Sequence, residues 1–528
     1  MPVFEITSFR GGPSDYEDKG IPGAFKFGAN LDIRKRVDNL SCKQALVDED
    51  AHISPSASPS PSASPSKSPS PSESASPSPT ESESASPSPS ASPSPSASPS
   101  PSHSPSLSPS PSAGLTTVFE DLIHWFVKST DGHTYGFGNT GNIYRRDTDG
   151  NWLRVYTDPD GAIKGAAEWY LATGQTHLYW ATDRNLHRKR LPGRSDWNDV
   201  DEDAGWPKTN LTSADWHTMI EAGGALIIAN GPWLAMVGYD GSYTNEALDL
   251  IPGNLSKTLV ERDGRTIIGT IRASDPDRGI NAAIDSEVPL AQIGENGELV
   301  FANMSDSMPI KSFPGGGKVN PGGVCNEIDQ VNFFEWEQAA LSWIDKQSVG
   351  NMGLFAVYGA ETGRGGIYSY GRTNKNHPFV MNLDYQFDAD ELGAIASVGG
   401  KVLVSYRDGT DFGVKATNPN VKARAIYEGL DLKPPVKKPV NIYNWKYAEL
   451  WCKPLPTGTS VEFWYKKNKT GSFVQARMEG EWTLFQADNE MKGVFLIGAE
   501  GKIFEPRVVL NPSGNVGPEV HRLEIYFD

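Results

Sequence analysis

One pattern constrains this chain more than any other: a hairpin with a polar, glycine-bearing turn and an apolar return strand, repeated at near-even spacing. It occurs around Gly132, Gly174 (HLYWA), Gly224 (ALIIA), Gly264 (RTIIG), Gly297 (ELVFA), Gly353 (LFAVY) and Gly400 (KVLVSY). The intervals are 42, 50, 40, 33, 56 and 47 residues, an average of about 45, which is the length of a four-stranded propeller blade. The first repeat reads strand by strand. Trp125-Phe-Val-Lys128 runs to the turn at Asp131-Gly132, and Thr134-Tyr-Gly-Phe137 returns. Asn139-Thr-Gly141 leads into Ile143-Tyr-Arg-Arg146, and Asp149-Gly150 leads into Trp152-Leu-Arg-Val-Tyr156. Four strands joined by such turns make one small antiparallel sheet. A ring of these sheets buries both faces of each, which accounts for strands apolar on both sides, such as Ala225-Leu-Ile-Ile-Ala229.

The expected fold class is therefore all-β: a β-propeller of six or seven blades over residues 114–430, followed by a C-terminal β-sandwich over 431–528. The 33-residue interval could be two hairpins of one blade, and a pair of β-sandwiches is the rival architecture. From Val319 to Ser348 the pattern weakens, and Phe333 to Trp343 fits either a short helix or an alternating strand.

Residues 54–113 form a Ser/Pro-rich low-complexity linker. Every even-numbered position from Ser54 to Ser112 is Ser except Thr80, and 17 of the 40 prolines fall in this stretch. Proline removes a ladder donor and clashes with a preceding helical turn, so neither strand nor helix suits it. An extended, disordered spacer of polyproline II character is expected, with a glycosylated or ligand-presenting stalk as the alternative. Residues 1–53 read as an N-terminal arm, too poor in apolar groups to fold alone and expected to dock on its own subunit or a neighbour.

The Lys433-Pro-Pro-Val-Lys-Lys-Pro439 stretch marks the second boundary. Beyond it Thr459 to Tyr465, Val494 to Ile497, Ile503 to Leu510 and Glu519 to Phe527 alternate with period two, as sandwich strands do.

The net charge of −17 and the absence of any basic block longer than Arg34-Lys35-Arg36 or Arg188-Lys189-Arg190 argue against a nucleic-acid partner. Cys42, Cys325 and Cys452 are odd in number and widely spaced, the usage of a protein made in a reducing compartment. The start, Met1-Pro-Val-Phe-Glu-Ile-Thr7, lacks the basic and apolar regions of a signal peptide. No apolar run is long enough to span a bilayer, so a soluble product without membrane insertion is expected.

No residue is singled out as catalytic, cofactor-binding or metal-ligating, and no cofactor is expected. Phe313-Pro-Gly-Gly-Gly-Lys318 lacks the Ser/Thr and spacing of a phosphate loop. Asp147-Thr-Asp149-Gly150-Asn151 opens like a calcium loop but has no Glu at the twelfth position, and Asp-Gly is what a hairpin needs. Glu335 and Glu337 flanking Trp336 could form a carboxylate pair of the kind that acts on sugars, or simply a solvated strand face. The nine histidines show no HExxH, and GxSxG is absent. The chain is accordingly expected not to be an enzyme.

Three stretches carry a family resemblance. They are the arm with Phe9-Arg-Gly-Gly12, Gly23-Ala-Phe25, Asn30 and Leu31-Asp-Ile-Arg34; the segment Ile310 to Gly323; and the end, Leu450 to Tyr465 with Leu510 to Asn515 and Pro518-Glu-Val520. In these the chain resembles β-propeller virion proteins of tailed bacteriophages, placed at the tail or tail nozzle; the long Ser/Pro insertion departs from them. The resemblance implies a structural, tail-associated virion protein, assembled in the host cytoplasm, whose partners are other tail proteins and copies of itself. A receptor- or glycan-binding tail appendage is the alternative, with a propeller glycoside hydrolase behind it.

Overall fold

The computed structural model describes residues 2–8, 24–32, 39–49, 51–53, 119–222, 224–250, 252–262, 265–274, 282–285, 303–306, 318–320, 322–326, 352–371, 380–434, 442–478, 484–485 and 491–528. Among them every regular element is a strand, as the glycine-turn pattern requires. The expected linker 54–113 lies outside the described residues. The segments on either side of it, 1–53 and 116–528, fall in one compact unit.

The N-terminal segment supplies β1 (Val3–Ile6), β2 (Phe25–Ala29), β3 (Leu40–Ser41), β4 (Gln44–Glu49) and β5 (Ala51–Ile53). Antiparallel meanders follow. The first is β6 (Ile123–Lys128), β7 (Thr134–Gly138), β8 (Asn142–Arg146) and β9 (Trp152–Thr157). The second is β10 (Gly165–Tyr170), β11 (Thr176–Ala181) and β12 (Leu186–Leu191). The third is β13 (Met219–Ala222), β14 (Ala225–Asn230), β15 (Trp233–Gly238) and β16 (Tyr243–Asp249). The fourth is β17 (Asn254–Arg262), β18 (Arg265–Arg272), β19 (Ala282–Asp285) and β20 (Asn303–Asp306). The fifth is β21 (Val324–Asn326), β22 (Met352–Val357), β23 (Gly366–Gly371) and β24 (Val380–Gln386). The sixth is β25 (Glu391–Val398), β26 (Lys401–Asp408) and β27 (Asp411–Lys422).

Gly132, Gly174, Gly224 and Gly400 sit with positive φ in the turn between the first two strands of their meanders, where an L side chain would be strained. β19 and β20 continue the sheet of β17 and β18, so one sheet spans the 33-residue interval, as the two-hairpin alternative has it; Gly264 and Gly297 themselves lie outside the described residues. One repeat differs from the sequence reading. Gly353 lies within β22 rather than in a turn.

Adjacent meanders meet through their first strands: β6 lies beside β10, β10 beside β13, β13 beside β17, β21 beside β25, and β25 beside β6. The cores follow the same plan, each filled from two neighbouring sheets. Trp125, Phe137 and Ile143 pack with Leu178 and Trp180; Tyr179 and Leu186 pack with Met219, Leu226 and Ile228; Leu354 and Ile367 pack with Ile395 and Val404. Ile123, Phe126 and Trp152 pack with Ala394, Leu403 and Val414, joining the last meander to the first. Consecutive meanders packed face to face, with the last joined to the first, are the pattern of a β-propeller.

The remaining strands are β28 (Ala425–Gly429), β29 (Tyr443–Cys452), β30 (Ser460–Lys467), β31 (Thr470–Gln475), β32 (Arg477–Met478), β33 (Leu484–Phe485), β34 (Lys492–Gly501), β35 (Phe504–Asn511) and β36 (Glu519–Phe527). They form two layers. One runs β1-β36-β29-β34-β32 with β3 on β36, and the other β2-β28-β35-β30-β31 with β33 on β30. Trp445, Leu450, Phe495 and Phe527 of the first face Phe25, Tyr427, Phe463 and Phe504 of the second across one core. β28 ends at Gly429, ahead of the boundary expected at 430, yet it pairs with β35.

The arm docks on its own chain. β1 pairs with β36, β3 with β36, and β2 bridges β28 and β24. β4 adds the fourth strand to the sixth meander beside β27, and β5 lies parallel to β9 of the first.

Candidate metal centre

The turn after β9 reads Asp158-Pro159-Asp160-Gly161, and its residue types dictate its shape. Asp158 Oδ1 accepts a hydrogen bond from the backbone N–H of Asp160 at 2.8 Å. Its carbonyl accepts one from the N–H of Gly161, whose φ of 90° glycine tolerates. The turn leaves Asp158 Oδ2 facing the second meander, where it accepts from the Trp180 indole N–H at 2.5 Å. Asp160 Oδ2 accepts from the Asn185 side-chain amide at 2.6 Å.

His187, on β12, completes the group. Its ring stacks on Trp180, with centroids 5.7 Å apart and planes 16° from parallel. Nδ1 lies 2.7 Å from Asp201 Oδ2, and the other oxygen of Asp201 accepts from the backbone N–H of Arg188 at 2.9 Å. Nε2 points the other way, 3.2 Å from Asp160 Oδ2 and 3.7 Å from Asp158 Oδ2. The imidazole is 95% buried and its Nε2 makes no hydrogen bond.

Charge and burial oppose each other here. Burial lowers the His187 pKa, but the hydrogen bond to Asp201 and the charges of Asp158, Asp201 and Asp160 outweigh it, and the net direction is up. Burial pushes the Asp158 carboxyl up despite His187 and the Trp180 hydrogen bond. A buried imidazole nitrogen between two carboxylates is chemistry suited to a shared cation.

None of these residues stands out as a site in the sequence, because the ligands are not spaced as a local motif. Asp158 and His187 are brought together by packing of consecutive meanders, and the only local signal was the Asp-Pro-Asp-Gly turn. Asp147, which opens the calcium-loop-like stretch, closes its own turn, accepting from the N–H groups of Asp149, Gly150 and Asn151. Arg188 and Lys189 of the basic run are paired with Asp203 and Asp199, from a loop that lies along β12. Glu335, Trp336, Glu337 and residues 313–317 lie outside the described residues, as does Arg34-Lys35-Arg36. The Cys42 and Cys452 thiols are buried, each pushed up to about 12 by burial, and so are poor nucleophiles.

A second feature lies on the surface. Tyr170, at the end of β10, and Tyr239, after β15, are 45% and 48% exposed with ring centroids 5.9 Å apart. The Tyr170 hydroxyl donates to Glu221 at 3.3 Å.

No protein-family model matches the chain, and no curated protein matches its sequence. Solved structures resemble it in fold. Regucalcin, a calcium-binding protein from Agrobacterium tumefaciens, is 14% identical with a TM-score of 0.33, over 57% of this chain and 91% of that one. A gluconolactonase from Xanthomonas campestris is 10% identical with a TM-score of 0.34, over 56% of this chain and 86% of that one. Virginiamycin B lyase from Staphylococcus aureus is 13% identical with a TM-score of 0.29, over 57% and 96%. Likeness at this level carries no residue roles. It does correct the expectation that the chain is not an enzyme: similar folds include a lactonase and a lyase, so this architecture gives no ground for excluding catalysis.

Proposed function

We propose that the protein is a structural, tail-associated component of a phage virion that meets its partners through the surface of a rigid scaffold. In the finer reading of the fold, six blades close into a ring at the junction of β17 with β21, and the two C-terminal layers form a sandwich. The observation that carries the proposal is the course of the arm. Its strands run from the last strand of the chain, across the joint between propeller and C-terminal layers, onto the sixth meander and then the first. Such stitching makes one body of two halves that would otherwise be free to move, which suits a part that must hold its shape in an assembly. The partners are other tail proteins and copies of this chain. Electron microscopy of the purified full-length chain, with mass spectrometry of particles carrying it, tests this. A closed oligomer and a fixed copy number per particle are expected; a monomer at every concentration that is missing from particles would refute it.

The exposed Tyr170 and Tyr239 rings beside Glu221 favour a second reading, a receptor- or glycan-binding appendage, since sugar rings stack on such faces while a carboxylate accepts their hydroxyls. In that case glycan-array binding disappears on replacing both tyrosines by Ala while the fold survives. An array without binding removes this reading and leaves the first.

A further inference from the structure

We propose that Asp158, Asp160 and His187 bind a divalent transition-metal ion, with Asp201 orienting the imidazole from behind. The three ligand atoms, one from each residue, lie within 4.8 Å of one another. An ion at the usual distance of about 2.0–2.2 Å from N and O ligands sets those ligands roughly 3.0–3.5 Å apart. The 3.2 and 3.7 Å separations from His187 Nε2 need only small closure to match.

The buried imidazole is the decisive observation. Its Nδ1–H is taken by Asp201, which fixes the tautomer that leaves the Nε2 lone pair directed between the two carboxylates. Each of the three ligands is also held by an outer partner: Trp180 for Asp158, Asn185 for Asp160 and Asp201 for His187. Metal sites are organised in this way, whereas a simple surface ion pair does not require it. One imidazole with two carboxylates favours zinc, cobalt, nickel or manganese over calcium or magnesium, which prefer all-oxygen shells. The Asp160 side chain is 40% exposed, so an ion can enter and a position remains open to water or to a substrate oxygen. The ligands come from the turn between the first two meanders and from the outer strand of the second, so the ion also fastens that junction.

The competing occupant is a proton. A protonated His187 would pair with the same carboxylates, and metal titration separates the two. The full chain, stripped with chelator and dialysed, is titrated with Zn2+ by calorimetry and with Co2+ by visible absorption. One equivalent is expected to bind, with a cobalt spectrum showing nitrogen and oxygen ligation and a rise in Tm. Asp201→Asn should weaken binding roughly 10–100-fold. His187→Gln and Asp160→Asn should abolish the spectrum; the latter, at a half-exposed position, tests the site even if the former misfolds. Zn2+ binding that is unchanged in a folded Asp160→Asn variant, or no cobalt spectrum in the wild-type chain, would overturn the proposal and leave a proton in the site.

Discussion

At the residue scale, two glycines measure how closely the inner strands approach. A Cβ on Gly165, the first residue of β10, would stand 1.7 Å from the His217 carbonyl oxygen, and one on Gly393 of β25 would stand 2.2 Å from that of Ile123. Each marks a place where one meander's backbone presses on the next, and backbone cannot yield as a flexible side chain can. Gly165→Ala should therefore destabilise the fold by about 1–3 kcal/mol or more, visible as a lower Tm; an unchanged Tm would mean that the inner strands are not in register. His177 gives a pH dependence. Its imidazole is buried, and burial together with the Arg188 charge lowers its pKa from 6.5 to about 4. Between these values the unfolded chain binds a proton that the folded chain refuses. The contribution is thus complete above pH 6.5 and is lost as pH falls towards 4. The full loss is on the order of 3 kcal/mol, and His177→Phe should flatten that part of the stability profile in urea titrations at pH 7 and pH 4.5.

At the element scale, β4 completes the sixth meander, and its last residue reaches into the first. Glu49 accepts from Arg146 Nε at 2.8 Å and from the Trp152 indole N–H at 2.9 Å. The Glu49 and Arg146 side chains are both buried. Removing one partner of such a pair strands the other, so Glu49→Ala should cost about 3–5 kcal/mol, measured by chemical denaturation. A double-mutant cycle with Arg146→Met should recover much of the loss, because the charge left unpaired is then gone too. Elements of this kind separate what the sequence made legible from what it hid. The hairpins around Gly132, Gly174, Gly224 and Gly400 were readable because turn chemistry and apolar strands are local. The positions of β1 to β5 were not, since an arm's partners hundreds of residues away leave no trace in its own pattern. β28 was hidden for the same reason: a short strand ahead of the Lys433 to Pro439 stretch shows nothing of its pairing with β35. The Asp158, Asp160 and His187 group was invisible because only the packing of one meander on the next creates it.

At the scale of the whole molecule, the arm makes the propeller and the two-layer C-terminal half interdependent. β2 lies between β24 of the fifth meander and β28, so it contributes pairing to both. Phe4 of β1 stacks on Phe527, and Lys43 pairs with the buried Asp384 of β24. Two halves with separate cores and an ordinary linker would melt separately. Here unfolding of either removes partners from the arm, and through it from the other. Differential scanning calorimetry of the full chain tests this coupling most directly. The account predicts one transition with calorimetric and van't Hoff enthalpies in agreement; two resolved transitions, with residues 425–528 melting independently of the six meanders, would contradict it.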